Sequence, residues 1–139
     1  MRVNFWTAAL LLGLNTACSV CGNTEVSRLA SPDGRLEAVI FERSCGATTD
    51  FTTQISIVRK GDAIANDAGN TFIADSNHGA APRANWGGPP ADVKWLMNRS
   101  VLISIHPATR VSVQHATVSV RTGILSREKV EVQYAATLH

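Results

Sequence analysis

Apolar and polar positions alternate in short runs along most of this chain, and turn residues separate the runs. Period-two alternation bounded by Gly, Pro, Asn and Asp marks half-buried strands. Residues 24–29 and 36–42 flank Ser31-Pro32-Asp33-Gly34 and predict a hairpin. Its Pro stands where the ring's fixed φ suits the turn. Residues 54–59 alternate and stop at Lys60-Gly61-Asp62. Residues 93–97 and 101–106 flank Asn98-Arg99-Ser100 and predict a second hairpin. Residues 111–121 alternate through Val111, Val113, Val118 and Val120, and residues 130–134 place Val130, Val132 and Tyr134 on one face. No segment keeps a 3.6-residue apolar stripe over three turns. The expectation is a mainly β fold of seven or eight strands in antiparallel pairs, with at most one short helix. A propeller would need about four blades of about 40 residues each. Residues 18–139 are too few for that and suit one small meander or sandwich-like domain.

The alternation fails between residues 61 and 92, where Gly69-Asn70, Asp75-Ser76-Asn77-His78 and Trp86-Gly87-Gly88-Pro89-Pro90 cluster around one short apolar piece at 71–74. A connection this long in a compact domain is functional or disordered. The expectation is a contact surface.

The amino terminus follows neither pattern. Arg2 precedes an apolar run at residues 5–14, and small residues and Cys18 follow. As a helix that run would span about 15 Å, against a hydrocarbon core of about 30 Å. It therefore reads as the apolar middle of an export signal, residues 1–17, removed from the mature protein. Leu14-Asn15-Thr16-Ala17-Cys18 resembles a bacterial lipoprotein signal, with Asn15 where such signals favour an aliphatic residue. The resemblance implies that Cys18 becomes the first residue and carries lipid, and that the protein is held on the envelope facing away from the cytoplasm. With Ser19 rather than Asp next, it implies the outer membrane if the cell has two. The alternative is ordinary cleavage after Ala17, leaving a soluble secreted or periplasmic protein.

Export changes the reading of the three cysteines, because disulfides persist outside the cytosol. If Cys18 is acylated, Cys21 and Cys45 form the one available pair; if it is not, three pairings are open. Cys18-Ser19-Val20-Cys21 also spells a C-x-x-C redox or metal spacing. Charge adds little. The net charge is +2 with 17% charged residues, both signs are scattered, and there is no basic stripe for nucleic acid.

Ser31-Pro32-Asp33-Gly34, residues 41–49 with Cys45-Gly46-Ala47-Thr48-Thr49 at their core, and residues 69–75 together resemble a family of small uncharacterised bacterial exported proteins, many with a lipoprotein-type start. The resemblance implies compartment and domain size, and implies no activity, substrate or cofactor.

Three segments carry candidate chemistry. Cys45, with Arg43 nearby, reads as a thiol nucleophile or as half of a disulfide followed by a tight turn. Asp75 and His78 offer oxygen and nitrogen ligands, but zinc needs three or four, and His106 and His115 are distant in sequence. Asp75, Ser76 and His78 are too close together for a triad, whose members come from separated elements. Trp86 on its Gly-Gly-Pro-Pro loop reads as an exposed binding aromatic or as a lid on the core. These observations favour a membrane-tethered, non-enzymatic binding module for an envelope protein partner, with no cofactor, no catalytic residues, and Asp75, His78 and Trp86 on its binding loop. An inhibitor or immunity-type lipoprotein fits the same residues. The alternative is a small metal-dependent or hydrolytic enzyme using Asp75 and His78.

Overall fold

A computed structural model describes residues 21–46 and 50–137. The expected export signal at residues 1–17, Cys18 and residues 47–49, which include both threonines of the Cys-Gly-Ala-Thr-Thr segment, lie outside the described residues. Nine strands are present among the described residues: β1 (Gly22–Ala30), β2 (Leu36–Ser44), β3 (Thr52–Arg59), β4 (Phe72–Asp75), β5 (Ala91–Met97), β6 (Ser100–Ile105), β7 (Arg110–Gln114), β8 (Thr117–Arg121) and β9 (Arg127–Ala136). They form a five-stranded sheet, β1-β2-β3-β4-β7, and a four-stranded sheet, β5-β6-β9-β8. The mainly β, sandwich-like expectation therefore stands.

The inner faces of the two sheets make the core. Leu36, Ala38, Ile40, Ile55, Ile57, Phe72 and Ala74 come from the first sheet. Trp95, Val101, Ile103, Val118, Val120, Val130 and Val132 come from the second. Alternation places them there, since successive strand side chains point to opposite faces. Both predicted hairpins form, β1–β2 and β5–β6, each in antiparallel register. In the first turn Ser31 Oγ donates to Asp33 Oδ1 at 2.7 Å and accepts from Leu36 N at 3.0 Å. Gly34 sits at φ 67°, a left-handed backbone that suits glycine.

The structure departs from the sequence reading in several places, beginning with nine strands among the described residues where seven or eight were expected. Second, residues 111–121 are two strands: β7 pairs with β4 in one sheet, and β8 pairs with β9 in the other. Third, β6 and β9 run parallel. Parallel neighbours need a crossover connection, and the chain makes it by visiting the first sheet as β7 before returning. Fourth, the irregular segment contains β4 and a single 3-10 turn at Asn77–Gly79.

Residues 61–70 are also more than a loop. Val39 and Phe41 point away from the core, yet are 0% and 1% exposed. The segment after β3 is held against that face of the sheet. Asn23 Nδ2 donates to Ala65 O and Asp67 O, both at 2.8 Å, and Asn66 Nδ2 donates to Cys21 O at 2.8 Å. Asn70 accepts from Ile57 N and donates to Ile57 O, both at 2.9 Å, so its side chain serves as a strand partner for β3.

Tyr134 fixes the passage of the chain from β7 to β8. Its hydroxyl donates to His115 O at 2.9 Å, and His115 N donates to Thr71 O at 3.1 Å. Burial pushes the phenol from its ordinary 10.0 up to about 12. The folded state thus favours the neutral phenol. This contribution is fully present below pH 10.0 and is lost as pH rises towards about 12. Tyr134→Phe is expected to cost about 1 kcal/mol at neutral pH through the lost hydrogen bond. Guanidinium titrations of both proteins should show the gap narrowing above pH 10.0, and a gap independent of pH would contradict the assignment.

Candidate functional site

One end of the sandwich collects the chemistry. Across the first sheet a single register row runs Asn23, Arg43, Thr52, Asp75, Arg110. The Cys21–Cys45 disulfide lies just beyond this row, and β1–β2 pairing begins beside it at Gly22 and Ser44. In the second sheet the same end carries Ala91 opposite Ile105 and Ile105 opposite Ala136. Thr53 links the two sheets here. Its Oγ1 donates to Pro89 O at 2.6 Å and accepts from Trp86 Nε1 at 2.9 Å.

Two glycines let the Trp86 loop lie this close. A Cβ on Gly88 would stand 2.5 Å from Thr53 Oγ1. A Cβ on Gly87, whose φ is +95°, would stand 2.8 Å from the Phe51 ring. The Gly-Gly pair thus lets the loop that carries Trp86 lie against Phe51, which is 43% exposed. Between the Trp86 loop and the end of the second sheet is a cleft of about 370 Å³, lined by Pro82, Trp86, Pro90, Asp92, Ile105 and His106. That volume falls within the range of small-ligand pockets, and apolar walls with a few polar groups are their usual lining. Ala108 N donates to His106 Nδ1 at 3.2 Å, which orients the ring in the cleft.

Asp75 and His78 are brought together by a residue that the sequence reading did not single out. Arg110 donates to Asp75 Oδ2 through Nε at 2.9 Å and Nη2 at 2.7 Å. Its Nη1 lies 3.1 Å from His78 Nε2, and because a guanidinium only donates, the imidazole nitrogen accepts. Asp75 Oδ1 accepts from Asn77 N at 2.8 Å. Burial opposes ionisation of Asp75, but Arg110 and the Asn77 N–H outweigh it and hold the carboxyl below its ordinary 3.8. Asn77 and His78 both have positive φ, 51° and 54°, so the tight turn itself swings the imidazole towards Arg110. The guanidinium occupies the space a cation would need between Asp75 and His78. Among the described residues no group of three or more His, Cys, Asp or Glu side chains is placed to hold a metal ion.

The remaining candidates fall elsewhere. Cys45 is bonded to Cys21 and offers no thiol, and Arg43 is turned to Asn23 Oδ1 at 2.7 Å. His115 is at the β7–β8 passage, away from the cleft lining. Trp86 is half-buried on Thr53 and forms a wall of the cleft. Among the described residues no helix is long and apolar enough to cross a membrane. No protein-family model, curated protein or solved structure matches the chain.

Proposed function

We propose that this protein is a lipid-tethered, extracytoplasmic binding module of the bacterial envelope, anchored through Cys18 and using the Trp86 cleft as its contact surface. The observation that carries the reading is the cleft, with apolar walls from Pro82, Trp86, Pro90 and Ile105 and polar groups from Asp92 and His106. The export signal and the resemblance to small exported bacterial proteins and lipoproteins support the compartment. The Cys21–Cys45 bond is compatible with an oxidising location outside the cytoplasm. The contact surface narrows from the whole of residues 61–92 to its second half, because residues 61–70 are engaged in covering β2 and β3. A non-enzymatic role is favoured because Arg110 engages Asp75 and His78 together.

Cell fractionation with intact mass measurement tests the anchor. Wild type should be recovered with membranes, begin at Cys18, carry the mass of more than one acyl chain, and gain two hydrogens on reduction. Cys18→Ser should leave the membrane fraction and lose the acyl mass. One acyl chain binds only marginally and two anchor stably, so the shift should be nearly complete. A membrane-bound protein still starting at Met1, or an unmodified soluble one starting at Cys18, would refute the reading.

A further inference from the structure

The fold fixes where a Cys18 tether would enter. Cys21 is locked to Cys45 in the body of the sandwich. Only Ser19 and Val20 separate it from Cys18. Three Cα steps of 3.8 Å reach at most about 11 Å. On the reading of Cys18 as an anchor, the pole bearing Cys21 stays within that distance of the lipid headgroups. The opposite pole, with the turn after β1 at residues 31–35, is a nine-residue strand further away, about 30 Å at 3.3 Å per residue.

The near pole is suited to that position. It carries Phe51, 43% exposed and against Gly87 of the Trp86 loop, and it holds the Trp86 cleft. Tryptophan is enriched at the headgroup level, and because Thr53 Oγ1 already satisfies Trp86 Nε1, that ring brings no unpaired N–H to it; Phe51 adds exposed apolar area. Two of its arginines are ion-paired within the fold: Arg110 with Asp75 at 2.7 Å and Arg83 with Asp50 at 3.4 Å. We propose that the Cys21–Cys45 pole is the lipid-facing surface, with Phe51 and Trp86 seated in the headgroup layer and the cleft opening onto it. The ligand class is the phospholipid headgroup, with neutral zwitterionic lipid sufficient. The inference rests on the Cys18 anchor. A short tether makes the contact intramolecular, so even weak aromatic insertion is populated.

Tryptophan quenching tests it. The acylated protein, purified from membranes, is placed in phosphatidylcholine vesicles doped with a lipid bearing a nitroxide on its headgroup. After removal of the signal only Trp86 and Trp95 remain. Trp95 is buried, and its Nε1 donates to Leu29 O towards the far pole. About half of the emission, that of Trp86, should therefore be quenched, as for a tryptophan at headgroup level. Trp86→Phe should abolish the quenching. A Gly/Ser insert of about 20 residues after Val20 lets the pole drift by about 25 Å. It should weaken the quenching with no change inside the fold.

Acylated, vesicle-bound protein whose emission ignores the nitroxide would overturn the inference while leaving the anchor intact. So would shielding of Trp86 that grows with the protein-to-lipid ratio, which would mean a second copy covers the pole. A mass spectrum without acyl chains would overturn both readings, and it distinguishes that failure from the other two.

Discussion

Replacing Cys21 and Cys45 together by Ser is expected to destabilise the domain by about 3.5 kcal/mol and to lower its Tm by about 10–15 °C. The bond closes a sequence separation of 24, and the chain-entropy cost of leaving that loop open in the unfolded state sets the figure. The effect should be concentrated on β1. This edge strand adds little to the core: Val26 packs against it only partly, and Leu29 is 45% exposed. Besides the disulfide, β1 is held by its ladder to β2, by Arg28 bridging Glu25 and Glu37, by the Asn23 side chain bonded to Ala65 O, Asp67 O and Arg43, and by the Trp95 Nε1 bond to Leu29 O. Amide exchange in β1 should rise first, ahead of global unfolding. Releasing β1 also bares β2 as a long apolar edge, so the double variant should aggregate more readily. Calorimetry of wild type with and without reductant, beside the double variant, checks this. Equal Tm values in all three would show that the bond contributes nothing to stability.

The parts of the fold legible from sequence are those held by local physics. Both hairpins were readable because alternation and turn chemistry agree, as at Ser31-Pro32-Asp33-Gly34, where the Ser31 and Asp33 side chains close the turn. The division of residues 111–121 had a signal that pattern counting overlooks. Val111 and Val113 are odd-numbered and Val118 and Val120 even-numbered, so the apolar phase slips by one residue where the chain changes sheets. The parallel β6–β9 pair had no such signal, because it depends on where a distant strand returns. Residues 61–70 read as a loop because their cover over Val39 and Phe41 is held by asparagine side chains, which look the same in a solvated turn.

The candidate site divides in the same way. Trp86 stood out through its Gly-Gly-Pro-Pro context, and the close approach of Gly87 to Phe51 and of Gly88 to Thr53 is the physical reason for those glycines. Arg110 could not be found from sequence. It lies 35 positions from Asp75, and only the β4–β7 register brings the two together. The same holds for the cleft, whose walls come from the Trp86 loop, β5 and the end of β6.

Phe72→Ala is expected to cost about 3–5 kcal/mol, the range for removing a fully buried ring that the surroundings cannot refill. Phe72 is 0% exposed and stands 6.0 Å from the Tyr134 ring, centroid to centroid, so it joins the two sheets directly. Its strand is only four residues long, yet it pairs with β3 on one side and β7 on the other. Little else fastens β7 to its sheet, and Arg110, which engages both Asp75 and His78, is on β7. Against a total stability of about 5–15 kcal/mol for a domain of this kind, such a loss is severe. Urea titration should show the midpoint falling by about a fifth or more, with exchange at Ile73 and Val113 accelerating before the β5–β6 hairpin opens. The membrane fraction of the surviving folded protein should not change, because the proposed anchoring depends on acylation of Cys18 and not on the β4–β7 pairing. A stability loss below about 1 kcal/mol would mean that neighbouring side chains collapse into the space, and that the β4–β7 layer is not what holds the Asp75–Arg110–His78 cluster in place.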